Sequence, residues 1–205
     1  PTPHSSPPGR GTGSSPLAQS TPPAEAWREK GSAVLIGSMC SGYDGLALAL
    51  EPHGHTVAWV AEIDPDASTV LAHRWPHAPN LGNVREVDWA NAPHVDIVIA
   101  GYPCQPFSHA GRRLGEADPR HLWPDIADAL RHLGPAYVVL ENVAAHLGLG
   151  FGTVLGDLAD QGFDAEWGVL PASAVGAPHK RARLWVVAAH PGRVRGRPLA
   201  DTDGR

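Results

Sequence analysis

The stretch AVLIGSMCSGYDGLALAL, residues 33–50, carries the pattern that decides the fold. The apolar run at 33–37 is followed by the turn-rich segment SGYDG at 41–45 and then by five helix-forming residues at 46–50. This order predicts a buried strand, a glycine turn and a helix. A Gly-x-x-Gly turn in this place lets a ligand approach the backbone closely, although tight turns also use glycine for purely structural reasons.

The same alternation continues along the chain. Apolar runs predict further strands at 56–61, 95–100, 136–140 and 183–188, and we expect one more strand just before Asn83. Helices are predicted from Pro65 to about Arg74, and over 122–133 and 153–161. Strands that alternate with helices indicate an α/β fold, with a mostly parallel sheet that helices cover on both faces.

Polar or reactive residues follow the predicted strands at the points where the strands end. In an open parallel sheet, ligands bind outside the carboxyl ends of the strands, and these ends share one edge. The sequence therefore predicts a single functional site at that edge. Its members are Gly42, Gly45, Glu62, Asn83, Pro103, Cys104 and Glu141.

Composition limits the class of protein. Hydrophobic residues make up 42% and charged residues 18%, as in ordinary globular domains, and the net charge of −5 argues against a uniformly basic nucleic-acid binder. Two cysteines cannot form a disulfide framework, and they are too far apart in sequence to suggest a zinc site. No apolar run reaches the roughly 20 residues that span a bilayer. We expect a monomeric, cytoplasmic protein without a metal or a membrane partner.

Three segments are expected. Residues 1–30 hold seven prolines and little apolar surface, which predicts a disordered tail. Residues 31–190 form the folded domain, and residues 191–205 form a basic tail.

Glu62 lies at the end of the second predicted strand. An acidic residue in this place commonly holds the hydroxyls of a ribose, and the alternative is a solvated carboxylate. Together with the glycine turn, Glu62 predicts a cofactor that contains adenosine.

Cys104 follows a predicted strand, in a loop that Pro103 and Pro106 stiffen. A loop is a poor place for a structural cysteine, so position alone favours a nucleophile, with a small buried side chain as the alternative. A nucleophilic thiolate needs nearby positive charge. Three downstream residues offer it: Arg112, Arg113 and Arg120.

Two further groups carry charge at predicted strand ends. Glu141 either acts as an acid or belongs to a helix cap. Arg181 and Arg183 lie two residues apart, so in an extended segment their side chains point to the same face. That arrangement suits a carbonyl or a phosphate, and a solvated surface run is the alternative.

In order and spacing these blocks resemble the cytosine-C5 DNA methyltransferase family, from Ala33 to about Ala189. The motifs that carry the resemblance are SGYDG at 41–45, EID at 62–64, GYPCQPFS at 101–108, ENV at 141–143 and HKRAR at 179–183. The resemblance implies a Rossmann-like methyltransferase fold for the catalytic domain, residues 31–190. It implies S-adenosylmethionine as cofactor and, as partner, double-stranded DNA with a cytosine flipped out of the stack.

The family chemistry assigns roles to these residues. The resemblance implies that Cys104 adds to C6 of cytosine, that Glu141 protonates N3 or hydrogen-bonds to it, and that Arg183, beside Arg181, holds O2. Residues 105–121 resemble a loop that closes over the base, with Gly111 and Gly115 as hinges. The implied cofactor residues are Cys40, Ser41, Gly42, Tyr43, Gly45, Glu62, Ile63, Asn83, Val84, Pro103 and Leu122.

The sequence departs from the family pattern in four places. Asp44 stands where glycine is common, so that its side chain is expected to crowd the cofactor turn. Cys40 replaces a phenylalanine that covers the adenine, and Asn83 replaces an aspartate. Each change is expected to weaken cofactor binding by about 1 kcal/mol. Fourth, residues 191–205 are expected to begin a target-recognition region that this sequence does not continue.

Other functions remain open. An inactive remnant or nucleic-acid-binding module would keep the fold without turnover, and an RNA cytosine methyltransferase would share the motifs. An amino-methylating enzyme is disfavoured, because the fourth strand is followed by Gly-Tyr-Pro-Cys instead of Asp/Asn-Pro-Pro-aromatic. A nicotinamide dehydrogenase is disfavoured because the first turn lacks Gly-x-Gly-x-x-Gly. Restriction–modification, a phage or mobile element, and regulatory methylation are all compatible with the sequence.

Overall fold

The computed structural model describes residues 34–103 and 122–194. The strands in these ranges are β1 (Leu35–Met39), β2 (Thr56–Ala61), β3 (Ile97–Ala100), β4 (Tyr137–Val143), β5 (Asp164–Pro171) and β6 (Ala182–Ala189). The helices are α1 (Gly45–Leu50), α2 (Pro65–Arg74), α3 (Trp123–Leu133) and α4 (Phe151–Asp160). Short 3-10 turns follow α1, β4 and β5, at Glu51–His53, Ala144–Gly148 and Ala172–Val175. The predictions for the tail at 1–30, for Cys104 and for the loop at 105–121 lie outside the described residues.

The six strands form one sheet in the order β2-β1-β3-β4-β6-β5. β1 pairs in parallel with β2 and β3, and β3 pairs in parallel with β4. β6 runs antiparallel to both of its neighbours, β4 and β5. A mostly parallel α/β sheet is thus confirmed, and α1 and α3 link neighbouring parallel strands as a parallel crossover requires.

Helices cover both faces of the sheet. Ala47 of α1 and Leu71 of α2 belong to one buried cluster with Ile36, Val57 and Ile99 of the first three strands. The step from β1 to β2 and the step from β3 to β4 run in opposite directions across the sheet. Because such crossovers are right-handed, α3 lies on the face opposite α1.

On that second face, two hydrogen bonds join α3 to α4. The indole Nε1 of Trp123 donates to a carboxylate oxygen of Asp157 at 2.7 Å, and Gln161 donates to the carbonyl of Ala127 at 3.0 Å. None of the helices within 34–103 and 122–194 has the length and apolar character of a bilayer span.

The prediction of a strand just before Asn83 is wrong. In its place a single parallel bridge joins Asn80 to Val60 of β2. Val60 donates to the carbonyl of Pro79 at 3.0 Å and accepts from Leu81 at 2.7 Å. Pro79 has no N–H to extend the ladder, and Gly82, at φ 79°, turns the chain away.

The end of β4 also differs from the prediction. Glu141 was expected at the end of its strand, but β4 continues through Val143, because its last three residues pair with β6. The strand β5 was not predicted at all. Its residues 164–171 are mostly exposed and show no clean alternation, so only the pairing with β6 defines it. The predicted bounds of β2 and α2 are confirmed.

Gly37→Ala should destabilise the fold. A Cβ at Gly37 would overlap the fully buried indole ring of Trp59, and the Nε1 of this ring donates to Pro93 at 2.9 Å. We expect a loss of about 1–3 kcal/mol in the free energy of unfolding, measured in urea, because an overpacked core must shift.

Gly156→Ala in α4 is the matched control, since no atom lies within 4 Å of the added Cβ. It should stabilise the protein by about 0.5–1 kcal/mol, the helix preference of alanine over glycine. Equal effects of the two substitutions would contradict the close contact at Gly37.

Candidate active site

The glycine turn after β1 is closed by a carboxylate from β2. The amide of Gly42 donates to Oε2 of Glu62 at 2.6 Å, and Oε1 of Glu62 accepts from the amides of Ile63 at 2.8 Å and Asp64 at 2.7 Å. A carboxylate has about four acceptor positions, so about one remains for a ligand hydroxyl. The space over the turn is open, because a Cβ at Gly42 or Gly45 would meet no atom within 4 Å.

Asn80 braces the end of β2, and sequence reasoning missed it. Its Oδ1 accepts from the amide of Glu62 at 3.0 Å, while its Nδ2 donates to the carbonyl of Glu62 at 3.0 Å and to Ser68 Oγ at 3.0 Å. The side-chain amide thus pairs with Glu62 as a neighbouring strand would. No local sequence signal marks an asparagine for this role.

Asp44 does not project into the cofactor turn, contrary to the prediction that it crowds it. Its side chain is only 3% exposed, and its Oδ1 caps α1 by accepting from the amide of Ala47 at 3.1 Å. The backbone has φ 52°, the left-handed conformation that explains why glycine suits this position. Burial raises the pKa of the Asp44 carboxyl, although the amide of Ala47 and the hydroxyl of Ser38 act in the opposite direction.

Cys40 lies directly after β1, also with a positive φ of 51°. Burial raises the pKa of its thiol to about 12, and the negative charges of Glu62 and Asp125 add to the effect. The side chain is therefore a neutral thiol at physiological pH. It can line the cofactor edge, but it cannot supply a thiolate nucleophile.

Two large apolar side chains are exposed at the same edge: Tyr43 is 65% and Ile63 72% accessible. Both were predicted to contact the cofactor, and neighbouring exposed apolar groups are typical of a binding surface. Ser41 stabilises the start of the glycine turn, since its hydroxyl donates to the carbonyl of Ser38 at 3.1 Å.

Asn83 and Val84 lie in the turn beyond Asn80. Oδ1 of Asn83 accepts from the amide of Arg85 at 3.2 Å and its Nδ2 donates to Glu86 at 2.9 Å, so this side chain holds its own turn. Val84 is buried. The turn is tied to the start of α3 by an ion pair of 3.0 Å between Arg85 and Asp125, which sequence reasoning missed. Leu122, the N-cap residue of α3, therefore lies close to this turn in the fold.

The structure brings Glu141 and Arg183 together. Nε of Arg183 lies 2.7 Å from Oε1 of Glu141, and the side chains of Arg183 and Glu141 are 23% and 25% exposed. Glu141 is paired across the ladder with Trp185, so Arg183 is its diagonal neighbour on the same face of the sheet. A carboxyl group and a guanidinium thus lie side by side at the edge where the parallel strands end, partly shielded from water.

Arg181 is not part of this pair. The premise that Arg181 and Arg183 share an extended segment is wrong, because Arg181 precedes β6 and has φ 37°. Its side chain is exposed, and among the described residues it makes no ion pair. Pro103 lies beyond β3, at the same edge as Glu141.

Asp44→Asn should change how stability depends on pH. Because the folded-state pKa of Asp44 is raised, the protonated form is favoured in the fold, and stability is lost as pH rises from the unfolded pKa through the folded pKa. Asparagine keeps a capping oxygen and tolerates the positive φ without this loss. The variant should therefore gain stability relative to the wild type as the pH rises above about 4, the ordinary pKa of an aspartate, measured by urea unfolding. A stability difference that stays constant over this range would contradict the burial effect.

Two known proteins are similar in sequence to most of this chain. A protein of Escherichia phage P1 described as a "DNA N-6-adenine-methyltransferase" is 38% identical over 154 residues, which cover 67% of this chain and 20% of that protein. The Type II methyltransferase M.NgoBI of Neisseria gonorrhoeae is 36% identical over 152 residues, 72% of this chain and 48% of that protein. The chain thus spans between a fifth and half of the length of these relatives.

Solved structures share the fold. The Dnmt2 methyltransferase of S. pombe superimposes with a TM-score of 0.66 at 20% identity, over 80% of this chain and 53% of that one. A DNMT2 variant of Spodoptera frugiperda gives 0.67 at 24% identity, over 84% and 54%. At such identity the likeness establishes the Rossmann-like methyltransferase fold alone. The sequence model of the C-5 cytosine-specific DNA methylases matches residues 34–200, and the chain belongs to this family.

Proposed function

We propose that the chain transfers a methyl group from S-adenosylmethionine to C5 of a cytosine in DNA, through a covalent bond between Cys104 and C6. The observation that carries the proposal is the contact of 2.7 Å between Glu141 and Arg183. N3 and O2 of cytosine are separated by one ring carbon, so a group that binds both must offer an acid and a donor side by side. Glu141 and Arg183 have this arrangement.

The cofactor edge fits S-adenosylmethionine. Glu62 has an acceptor position left for a ribose hydroxyl, and the open turn at Gly42 leaves room for the rest of the nucleoside. Tyr43 and Ile63 offer exposed apolar surface to the adenine. When bound, S-adenosylmethionine would supply an electrophilic methyl group to C5 and would be left as S-adenosylhomocysteine.

The side chains of this protein make C5 electron-rich. The thiolate of Cys104 forms a bond to C6, and the π electrons of the C5–C6 double bond move into the ring toward C5, N3 and O2. Glu141 gives a proton or a hydrogen bond to N3, and Arg183 donates to O2, so both disperse the developing negative charge. Once C5 is methylated, loss of its proton restores the double bond and expels Cys104 as the thiolate.

Electrostatics support the choice of cysteine. The chain has two cysteines, and the pKa of Cys40 is raised to about 12. Cys104, in the motif Pro-Cys-Gln, is then the cysteine that supplies the nucleophile. The name of the phage relative refers to adenine N6, but only 20% of that protein is matched. Gly-Tyr-Pro-Cys also differs from the motif expected of amino methylation. We also propose a location in the bacterial cytoplasm, because the similar methyltransferase M.NgoBI is a bacterial protein.

Glu62→Gln should weaken the binding of S-adenosylmethionine about ten-fold, the scale of one lost charge-assisted hydrogen bond. Isothermal titration of the full chain measures the change in Kd. Glu166→Gln is the matched control, because Glu166 lies exposed on β5, and its Kd should equal that of the wild type. Equal affinities for both variants would exclude Glu62 from the cofactor site.

Trapping on DNA tests the proposed reaction. An oligonucleotide with 5-fluorocytosine at its cytosines is incubated with S-adenosylmethionine and the protein, used both as this chain and extended by its natural flanking sequence. Fluorine cannot leave C5 as a proton does, so the S–C6 bond should persist as a denaturation-resistant adduct. Cys104→Ser should abolish the adduct, and Glu141→Gln should slow its formation by about 10²–10⁴-fold.

Mass spectrometry of the tryptic adduct identifies the residue that is joined to the base. An adduct that persists in Cys104→Ser would contradict the proposed mechanism. The same oligonucleotide made as RNA separates the RNA-directed alternative, which predicts an adduct on RNA and none on DNA. Binding of S-adenosylmethionine without any adduct, in both lengths of the protein, would favour the inactive module.

A further inference from the structure

The described residues on either side of the segment that carries Cys104 meet in the core. Tyr102 precedes this segment and Trp123 follows it, and both rings are almost completely buried. Their ring centroids are 5.9 Å apart with the planes tilted by 45°. Trp123 is held in turn by its hydrogen bond to Asp157 of α4. An aromatic contact therefore joins the chain before this segment to the chain after it.

Tyr102 is also fixed by a buried polar group. Its hydroxyl lies 2.8 Å from Nε2 of His146, in the 3-10 turn after β4, and Nδ1 of His146 lies 2.7 Å from the carbonyl of Leu149. A carbonyl only accepts, so Nδ1 carries the hydrogen. In the neutral imidazole Nε2 is then the acceptor, and the Tyr102 hydroxyl donates to it.

The surroundings of this hydrogen bond are apolar. His146 is fully buried, and its ring meets those of Tyr102 and Phe151 edge-on, at 5.7 and 5.9 Å. A polar group in such a place is costly unless it is hydrogen-bonded, so the pair tolerates few alternative arrangements. The backbone is fixed as well, because Nδ2 of Asn142 donates to the carbonyl of Tyr102 at 3.3 Å.

We infer that the hydrogen bond from Tyr102 to His146 positions the catalytic cysteine. Tyr102 is two residues before Cys104, so a shift of its ring moves the backbone that leads to the nucleophile. A misplacement of about 1 Å can slow a reaction by about 10²-fold. Tyr102 and His146 are positioning residues that act through Cys104, and the inference rests on the proposed function of that residue.

Single-turnover formation of the 5-fluorocytosine adduct measures the effect, at a temperature where every variant is fully folded. Tyr102→Phe keeps the ring but leaves Nε2 of His146 without its donor, and His146→Phe leaves the Tyr102 hydroxyl without its acceptor. Each should slow adduct formation about ten-fold, while the Kd for S-adenosylmethionine changes by less than about two-fold. Tyr137→Phe, which removes a hydroxyl at the far end of β4, is the control and should react at the wild-type rate.

The double variant Tyr102→Phe/His146→Phe distinguishes positioning from two independent losses. If the two residues act through one hydrogen bond, the double variant should be no slower than the slower single variant. A double variant whose rate of adduct formation falls by the product of the two single effects would overturn the inference. So would single variants that melt at lower temperature yet form the adduct at the wild-type rate.

Alkylation separates this inference from the proposed function. The rate at which iodoacetamide labels Cys104 is followed by peptide mass spectrometry in the full chain without DNA, with a free cysteine peptide added as the reference. Tyr102→Phe should slow labelling of Cys104 at least about three-fold, because a displaced thiolate loses stabilising neighbours, and should leave labelling of the added peptide unchanged. If the wild type forms no adduct, the proposed function fails, but the labelling rates still test the inference. Equal labelling rates of Cys104 in the wild type and in Tyr102→Phe would overturn the inference.

Discussion

The parallel pairing of β2, β1, β3 and β4 is the constraint on which the rest of the molecule depends. Parallel strands end at the same edge, so residues that are far apart in sequence become neighbours there without any special contact between them. The glycine turn, Glu62 and Pro103 all stand at this edge because each follows one of the four strands. Hydrogen bonds then refine their places, and the shortest of them joins the amide of Gly42 to Glu62 at 2.6 Å.

The antiparallel strand β6 makes a different contribution. A parallel neighbour would carry its own carboxyl end to the active edge, but β6 brings its amino end there. Arg183, near the start of β6, therefore meets Glu141, near the end of β4. One reversed strand in the sheet thus joins an acid and a guanidinium that no parallel arrangement of these two segments would bring into contact.

Buried polar groups set the fine geometry around the edge. Asp44 caps α1 from inside, and the hydrogen bond between Tyr102 and His146 holds the chain before Cys104. Such groups have few acceptable partners in an apolar interior, so they specify one arrangement where apolar packing would allow several. They lie around the edge where the parallel strands end, where a displacement of the backbone would slow the reaction most.

The sequence by itself determined the α/β class, most strands and helices, the glycine turn and the motifs that define the family. These features depend on local periodicity and residue type, which a linear pattern records. Only the tertiary structure decided the contact of Glu141 with Arg183, the inward turn of Asp44, the separate place of Arg181, the strand β5 and the pairing of Tyr102 with His146. Each of these depends on the register of a neighbouring strand, on a positive φ or on a partner distant in the chain, and residue type and spacing specify none of the three.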